Sequence, residues 1–425
     1  MNLKDRTLVL GVSGGIAAYK AAELVRALRQ QGVRIRVVMT RSAQQFITPL
    51  TLQTLSGNPV STDLWDLTQE SQIGHIDLAD SADVLLIAPA TANVIAKLAT
   101  GLADDLLTTI ALATRARIVV APAMNVHMFE NAVVQENLQR LRARSVRIVP
   151  PDTGALACGY EGPGRLPDPD VLVEEVRAAL SPQDLANETV LVTAGPTREY
   201  LDPVRFLSNR SSGKMGFAVA RAAARRGARV VLVTGPTALR DPRTLEVVRV
   251  ESAREMATAV DARVLEASIV VAAAAVADYR PKRRAAEKPA KVQGATTIDL
   301  ETTRDIVAGI DRTRRDRIIV GFAAETGDPI ERARGKLARK GLDLIVANDV
   351  TAAGAGFDVE TNIVTLIDAS ATTTLPLLDK DDVADAILDR VVALRAARQT
   401  KRPGTPRART SPARLRLARR RPRGV

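Results

Sequence analysis

Short apolar runs recur along the chain, each followed by a stretch whose apolar residues have helical spacing. Thr7–Val12, Val33–Met39, Ala82–Ile87, Arg117–Val120 and Val146–Val149 read as strands buried on both faces. Between them, helices are predicted over Ile16–Gln30, up to about Thr100, from the Gly101–Asp105 turn onward, and over Pro169–Leu180. A polar, proline-bearing stretch at 181–188 interrupts the alternation and reads as a linker. The pattern then restarts with a strand at Thr189–Thr193, a helix at Lys214–Arg226 and a strand at Ala228–Thr234. Further strands lie near Leu245, Ile269, Ile318, Leu344 and Ile363, and a last helix runs from Asp382 to about Ala397. This alternation predicts two α/β domains with mainly parallel sheets, 1–180 and 189–397. The shared pattern is architectural, without a residue-level repeat.

Composition changes this picture in three ways. The net charge of +12 is uneven: eleven Lys or Arg and no acid fall in 398–425, a segment expected to be a disordered basic tail. The rest of the 425 residues is nearly neutral, and aromatics at 3% are too scarce for base-stacking platforms. Nucleic acid is therefore not an expected partner. The single cysteine, Cys158, rules out an intramolecular disulfide and fits a reducing compartment. No run reaches the roughly 18 apolar residues of a membrane span, and no secretory signal is evident, so a cytoplasmic protein is expected. With only His75 and His127, no multi-histidine metal site can form.

The strand ends carry the candidate chemistry. Gly11-Val12-Ser13-Gly14-Gly15 precedes a helix and is a natural anion cradle, though a ligand-free glycine turn is the plain alternative. It is not GxGxxG. The next strand ends in Met39-Thr40-Arg41-Ser42 with no acid for a ribose, which disfavours NAD and leaves room for a monophosphate. Small residues in Ala88-Pro89-Ala90-Thr91-Ala92-Asn93 would let a flat ligand approach the backbone. Past the next strand lies Asn125, able to donate and accept; a plain helix cap is the alternative. His75 falls on a loop before a short helix. Cys158 falls in a glycine-rich loop, 154–165, as a candidate proton donor or nucleophile unless it is simply buried.

In the second half, a long loop over 193–216 precedes a helix, and Ser212 and Gly213 stand where helix amides meet a phosphate. No GxxxxGK[ST] occurs, so this is not a P-loop. Lys336 and Lys340, four apart, share a helix face. They are either solvated surface or the counter-charge of a triphosphate.

Taken together, these segments resemble the bacterial bifunctional phosphopantothenoylcysteine decarboxylase / phosphopantothenate–cysteine ligase family of coenzyme A biosynthesis, over roughly residues 5–395. The motifs are Gly-Val-Ser-Gly-Gly-Ile, Gly-His-Ile-Asp-Leu, Pro-Ala-Thr-Ala-Asn, Pro-Ala-Met-Asn-x-x-Met, Leu-Ala-Cys-Gly with Gly-x-Gly-Arg, and the ligase segments after them. The resemblance implies two Rossmann-like domains. The first, a flavodoxin-like cysteine decarboxylase domain, would bind FMN through Ser13, Gly14, Gly15, Thr40, Ala88 and Thr91. There His75 would be the base in flavin-dependent oxidation of the substrate cysteine, Asn125 would hold the substrate carboxylate, and Cys158 would return a proton. No catalytic role is expected for His127. Phe129 stands where the family often has Trp.

The second domain would use CTP and Mg2+ to activate 4′-phosphopantothenate as an acyl-cytidylate, which cysteine then attacks to give 4′-phosphopantothenoylcysteine, the first domain's substrate. Asn209 and Lys288 match catalytic positions. Arg205, Ala274, Asp278, Thr303, Asp305, Ile306, Phe322, Lys336 and Lys340 match substrate and nucleotide positions. No protein-only metal site is implied, since Mg2+ would be held mainly by the CTP phosphates. Two departures bear on nucleotide binding. Pro289-Ala290-Lys291 follows Lys288 where an apolar residue and two lysines are usual, and Thr303-Arg304 replaces a common Asn-Pro. The resemblance also implies homo-oligomers, trimeric through the flavin domain, with the flavin near a subunit interface, and dimeric through the ligase domain. A flavin-binding regulatory subunit without catalysis is the alternative. Keeping His75, Asn125 and Cys158 together with a whole ligase half argues against it.

Overall fold

A computed structural model describes residues 3–65, 74–155, 159–243, 245–290, 297–314, 316–325, 329–349, 356 and 359–400. In the first half, β1 (Thr7–Val12), β2 (Arg34–Met39), β3 (Val60–Ser61), β4 (Val84–Ala90), β5 (Arg117–Pro122) and β6 (Arg147–Ile148) form a parallel sheet ordered β3-β2-β1-β4-β5-β6. Leu8 of β1 sits between Ile35 and Val84 of its neighbours. Helices α1 (Lys20–Gln30), α2 (Pro49–Ser56), α3 (Gly74–Ser81), α4 (Ala92–Thr100), α5 (Leu106–Ala113), α6 (Val126–Glu130), α7 (Ala132–Ala143) and α8 (Pro169–Leu180) connect and cover the strands. Each face of the sheet has its own apolar cluster, one around Leu10 and Leu86, the other around Val9 and Leu85. Alternate side chains of the central strands thus feed opposite cores, which is why β4 is apolar throughout and β1 nearly so.

Two expectations are corrected here. His75 is not on a loop but in the first turn of α3. The glycine-rich segment is not a plain loop either, since β7 (Asp152–Ala155) and β8 (Glu161–Arg165) pair as an antiparallel hairpin. Periodicity could not reveal it, because its strands are glycine, proline and charge rather than alternating apolar residues.

The second half holds β9 (Thr189–Ala194), β10 (Arg198–Tyr200), β11 (Phe206–Ser208), β12 (Arg229–Thr234), β13 (Glu246–Arg249), β14 (Ile269–Ala272), β15 (Tyr279–Pro281), β16 (Leu300–Thr302), β17 (Ile318–Glu325), β18 (Leu344–Asp349), β19 (Thr361–Asn362), β20 (Val364–Ile367), β21 (Thr372–Thr374) and β22 (Leu378–Asp379). Its main sheet runs β13-β12-β9-β14-β17-β18-β20-β21, parallel except for the last two strands. Helices α9 (Lys214–Arg225), α10 (Ala253–Asp261), α11 (Pro329–Lys340) and α12 (Lys380–Thr400) flank it. The first strand of each main sheet has its successors on both sides, so the strand order reverses there. That opens a crevice beyond the carboxyl ends, the usual ligand position in such sheets. The long loop expected before α9 contains the β10–β11 hairpin. Helix α12 runs to Thr400, three residues beyond its expected end at Ala397, and residues 401–425 lie outside the described ones.

Ion pairs join the halves. Asp381 at the start of α12 accepts from Arg177 of α8 (2.7 Å) and Arg221 of α9 (3.1 Å). Arg225 of α9 donates to Glu174 of α8 at 2.9 Å, and its side chain is only 4% exposed. Burial alone would raise the Asp381 carboxyl, but the three guanidiniums hold it below the usual carboxylate range. No described helix is long and apolar enough to cross a membrane.

Candidate functional site

The first candidate site is a cavity of about 540 Å3 beyond the carboxyl ends of β1, β4 and β5. Its lining includes Gly14, Gly15, Thr91, Asn125, Met128 and Arg165. Gly14 lies so close to Ser42 that a Cβ would enter that side chain, so the turn needs a glycine there. Asn125 is the N-cap of α6, its Oδ1 accepting the His127 amide at 2.8 Å, while the residue also lines the cavity. β8 forms the opposite wall. The Met124 amide donates to the Gly164 carbonyl at 3.0 Å, and a Cβ on Gly164 would run into the Met124 carbonyl oxygen.

The other expected cofactor residues are placed differently. Ser13 is wholly buried, its hydroxyl donating to the Pro89 carbonyl (2.7 Å) and accepting from the Thr91 amide (3.0 Å). It ties the ends of β1 and β4 together beneath the cavity. Ala88 is wholly buried in β4. Thr40 caps the turn after β2, accepting from the Ala43 amide. His75 is half-buried on α3 and does not line the cavity. Cys158 lies outside the described residues. His127 makes an edge contact with Tyr160.

The site fits a flavin. It is a pre-formed recess in the ordinary ligand size range, with apolar walls, a glycine turn that brings backbone to the surface, and a helix start beyond it.

In the second half two cavities of about 510 and 500 Å3 share Ala274, Val276, Asp278, Phe322 and Lys336 and so form one crevice at the sheet's carboxyl end. One adds Thr303, Asp305, Ile306 and Lys340; the other adds Asn209 and the start of α9. Asn209 is fixed by its amide nitrogen, which donates to the Val276 carbonyl at 2.9 Å. Thr303 closes the turn by donating to the Ala277 carbonyl at 2.6 Å. Lys340 pairs with Asp305 at 2.8 Å. Burial would raise the Asp305 carboxyl, but Lys340 and the Ala308 amide hold it below its ordinary value.

Arg205 and Lys288 do not line the crevice. The Arg205 guanidinium donates to buried Asp202 at 2.6 Å and reaches toward the Pro289 carbonyl at 3.5 Å, on the exposed segment that carries Lys288. Sequence reasoning missed Asn348, Asn362 and Lys380, which line the same crevice from β18, β19 and α12. Nothing local marks them; the tertiary fold alone brings β18, β19 and the start of α12 near Asn209.

A family model described as Flavoprotein matches residues 1–181, and one described as DNA/pantothenate metabolism flavoprotein C-terminal domain matches residues 185–394. The chain is 49% identical over 397 residues to the coenzyme A biosynthesis bifunctional protein CoaBC of Escherichia coli, covering 92% of this chain and 98% of that protein. It is 48% identical over 390 residues to the Vibrio cholerae protein of the same name, covering 91% and 98%. The crystal structure of the C-terminal domain of a CoaBC protein is 41% identical and covers 51% of this chain and 99% of that one, with a TM-score of 0.44.

Proposed function

The chain belongs to the family of bifunctional coenzyme A biosynthesis proteins, and on that premise we propose that it joins cysteine to 4′-phosphopantothenate with CTP and then decarboxylates the product to 4′-phosphopantetheine with FMN. A flavin is its cofactor. The observation that carries the reading is the pairing of one glycine-turn recess holding Asn125 with one crevice gathering Asn209, Asp278, Phe322, Lys336 and Lys340. We place the division between the activities at 181–188, which spans the junction of the two matched segments, 1–181 and 185–394.

In the ligase half the substrate carboxylate attacks the α-phosphorus of CTP and pyrophosphate leaves. The cysteine amine then attacks the acyl carbon and CMP leaves. Lys336 and Lys340 lie on one face of α11 and offset the phosphate charge as it develops. Asp305 keeps Lys340 at the crevice wall. The amides at the start of α9 receive a phosphate. Asn209, held to Val276, meets the acyl-cytidylate. Lys288 and Arg205 act from the neighbouring surface, where Asp202 anchors Arg205. With Asp305 tied to a lysine, Asp278 is the crevice carboxylate nearest to a Mg2+ role, and the metal is held mainly by nucleotide phosphates.

In the first half, bound flavin would supply a two-electron acceptor for the substrate cysteine and return both electrons to the decarboxylated product, with no net redox change. Asn125 binds the substrate carboxylate, and the wall of β8 keeps water from it. Cys158 delivers the final proton. His75 lies outside the recess of its own chain, while exposed Ile16, Tyr19 and Met128 rim that recess. These facts support a homo-oligomer in which His75 serves as base in a neighbouring copy's recess, and the family resemblance makes it trimeric through this half. The ligase half pairs as a dimer.

Purified protein should release CMP from CTP only with both cysteine and 4′-phosphopantothenate present, and CO2 from 4′-phosphopantothenoylcysteine. Equal turnover with ATP, or CTP left intact with all co-substrates, would overturn the nucleotide assignment.

A further inference from the structure

Arg243 lies in the connection between β12 and β13 of the ligase half, yet both arms of its guanidinium donate to Asp152 at the root of the β7–β8 hairpin, Nη2 to Oδ2 at 3.1 Å. Asp152 is the ladder partner of Arg165, and the pairing slips by a bulge immediately after it. From Arg165 the contacts lead straight to the recess. Arg165 lines it, and the adjacent Gly164 holds the Met124 amide, one residue before Asn125. Gly162 packs on Val126 at the other side of Asn125, so closely that a Cβ would sit 2.7 Å from Val126 Cγ2. The Asp152 side chain is only 14% exposed, so this end of the bridge is shielded from water. At its own end, Arg243 is backed by the sheet. Arg249 of β13 donates to Asp241 at 2.6 Å and to the Leu239 carbonyl at 3.4 Å, tying down the connection that carries Arg243.

We propose that Arg243 is a positioning residue for decarboxylation: the ligase half, through this one side chain, fixes the hairpin wall against which Asn125 is set. The inference rests on the reading of the first half as the decarboxylase. It gives a physical reason for the two activities to share a chain, since one half braces the hairpin that walls the other's recess. Among the described residues Arg243 does not line the crevice, so ligation is the internal control.

The test uses the full-length protein as wild type, Arg243→Ala, Arg243→Lys, Arg243→Asp alone, Asp152→Arg alone, and the exchanged pair Arg243→Asp with Asp152→Arg. In Arg243→Ala, kcat/KM for CO2 release should fall about 3- to 10-fold, the scale of losing one bidentate, half-shielded ion pair. CMP release should stay at the wild-type rate. Arg243→Lys should recover part of the loss, and the exchanged pair should exceed either of its single variants. Tryptic cleavage at Arg165, followed without substrate, should quicken in Arg243→Ala and slow again in the exchanged pair. This last readout does not need decarboxylation, so a protein that releases no CO2 would refute the activity while the cleavage pattern still decided the clamp. Unchanged cleavage and unchanged CO2 release in Arg243→Ala would overturn the proposal. So would loss of ligation in parallel with decarboxylation, or an exchanged pair no better than its single variants.

Discussion

Replacing Gly216 by alanine should disable ligation and spare decarboxylation. Gly216 lies in the first turns of α9, where a Cβ would stand 2.5 Å from the Ala194 Cβ and 3.2 Å from the Thr193 carbonyl oxygen on β9. Carbon atoms at rest are about 3.5–4.0 Å apart, so α9 must withdraw from the sheet by about 1 Å. Two effects on stability oppose each other. Alanine favours the helix by about 1 kcal/mol over glycine. Overpacking against a buried strand costs about 1–3 kcal/mol. The net loss is therefore small, and the protein should remain folded. The displacement is not small on the scale of chemistry. The start of α9, Ser211 to Lys214, lines the crevice beside Asn209. A shift of about 1 Å in a positioning element costs about 100-fold in rate. The assay measures CMP release and CO2 release on one sample, with the thermal midpoint recorded alongside. Gly335→Ala on α11 is the matched control, because a Cβ there meets nothing within 4 Å. That variant should gain stability by about 0.5–1 kcal/mol and keep both activities. A Gly216→Ala protein that ligates within two- or threefold of wild type would refute the reasoning, since the crowding would then have been relieved without moving the cradle.

The remaining predictions concern other parts of the molecule. Gly164→Ala should give the converse result, an inactive decarboxylase with intact ligation, because the added carbon displaces the backbone beside Asn125; parallel CO2 and CMP assays check it. Lys336→Ala with Lys340→Ala should raise KM for CTP by about tenfold or more, the scale of losing charge-assisted phosphate contacts, while CO2 release stays unchanged. Asp368 accepts from Arg390 Nε (2.6 Å) and from the Ser370 amide (2.8 Å). Burial would raise its carboxyl, but these partners bring it down to about 2. A depressed folded value stabilises the protein above the ordinary carboxylate range. That contribution, about 2 kcal/mol, drains away as pH falls from about 4 toward 2. Asp368→Asn should therefore lose stability at pH 7 and show a flatter acid limb in urea titrations; an unchanged limb would sink the assignment.

What the sequence reveals depends on how local the cause is. Helix α8 was readable to the residue, because Pro169 sets its start and apolar spacing its length. The parallel strands were readable because they are buried on both faces and apolar throughout. The β7–β8 hairpin was not, because its residues are chosen for close approach to Met124 and Val126, contacts made across sequence. Asn125 carried its signal locally, at the end of a strand. Asn348 and Lys380 carried none, because their place in the crevice comes from long-range packing, Asn348 through the position of β18 in the sheet and Lys380 at the start of α12. Ser13 shows a different limit: serine in a glycine turn reads as a ligand group, and only the fold shows that its hydroxyl also joins two strand ends.

The arginine cluster between the halves has an evolutionary reading. Arg225 depends on Glu174 and Asp381 on Arg177, so each partnership spans the linker. A gene fission at the linker would take Glu174 from a sheltered guanidinium, leaving it Asp381 and Asp385 of its own half, and would strip the Arg177 counter-charge from Asp381. Stand-alone versions of either half should therefore carry other side chains at 174, 177 and 225, and those three positions would mark whether a given ancestor was fused.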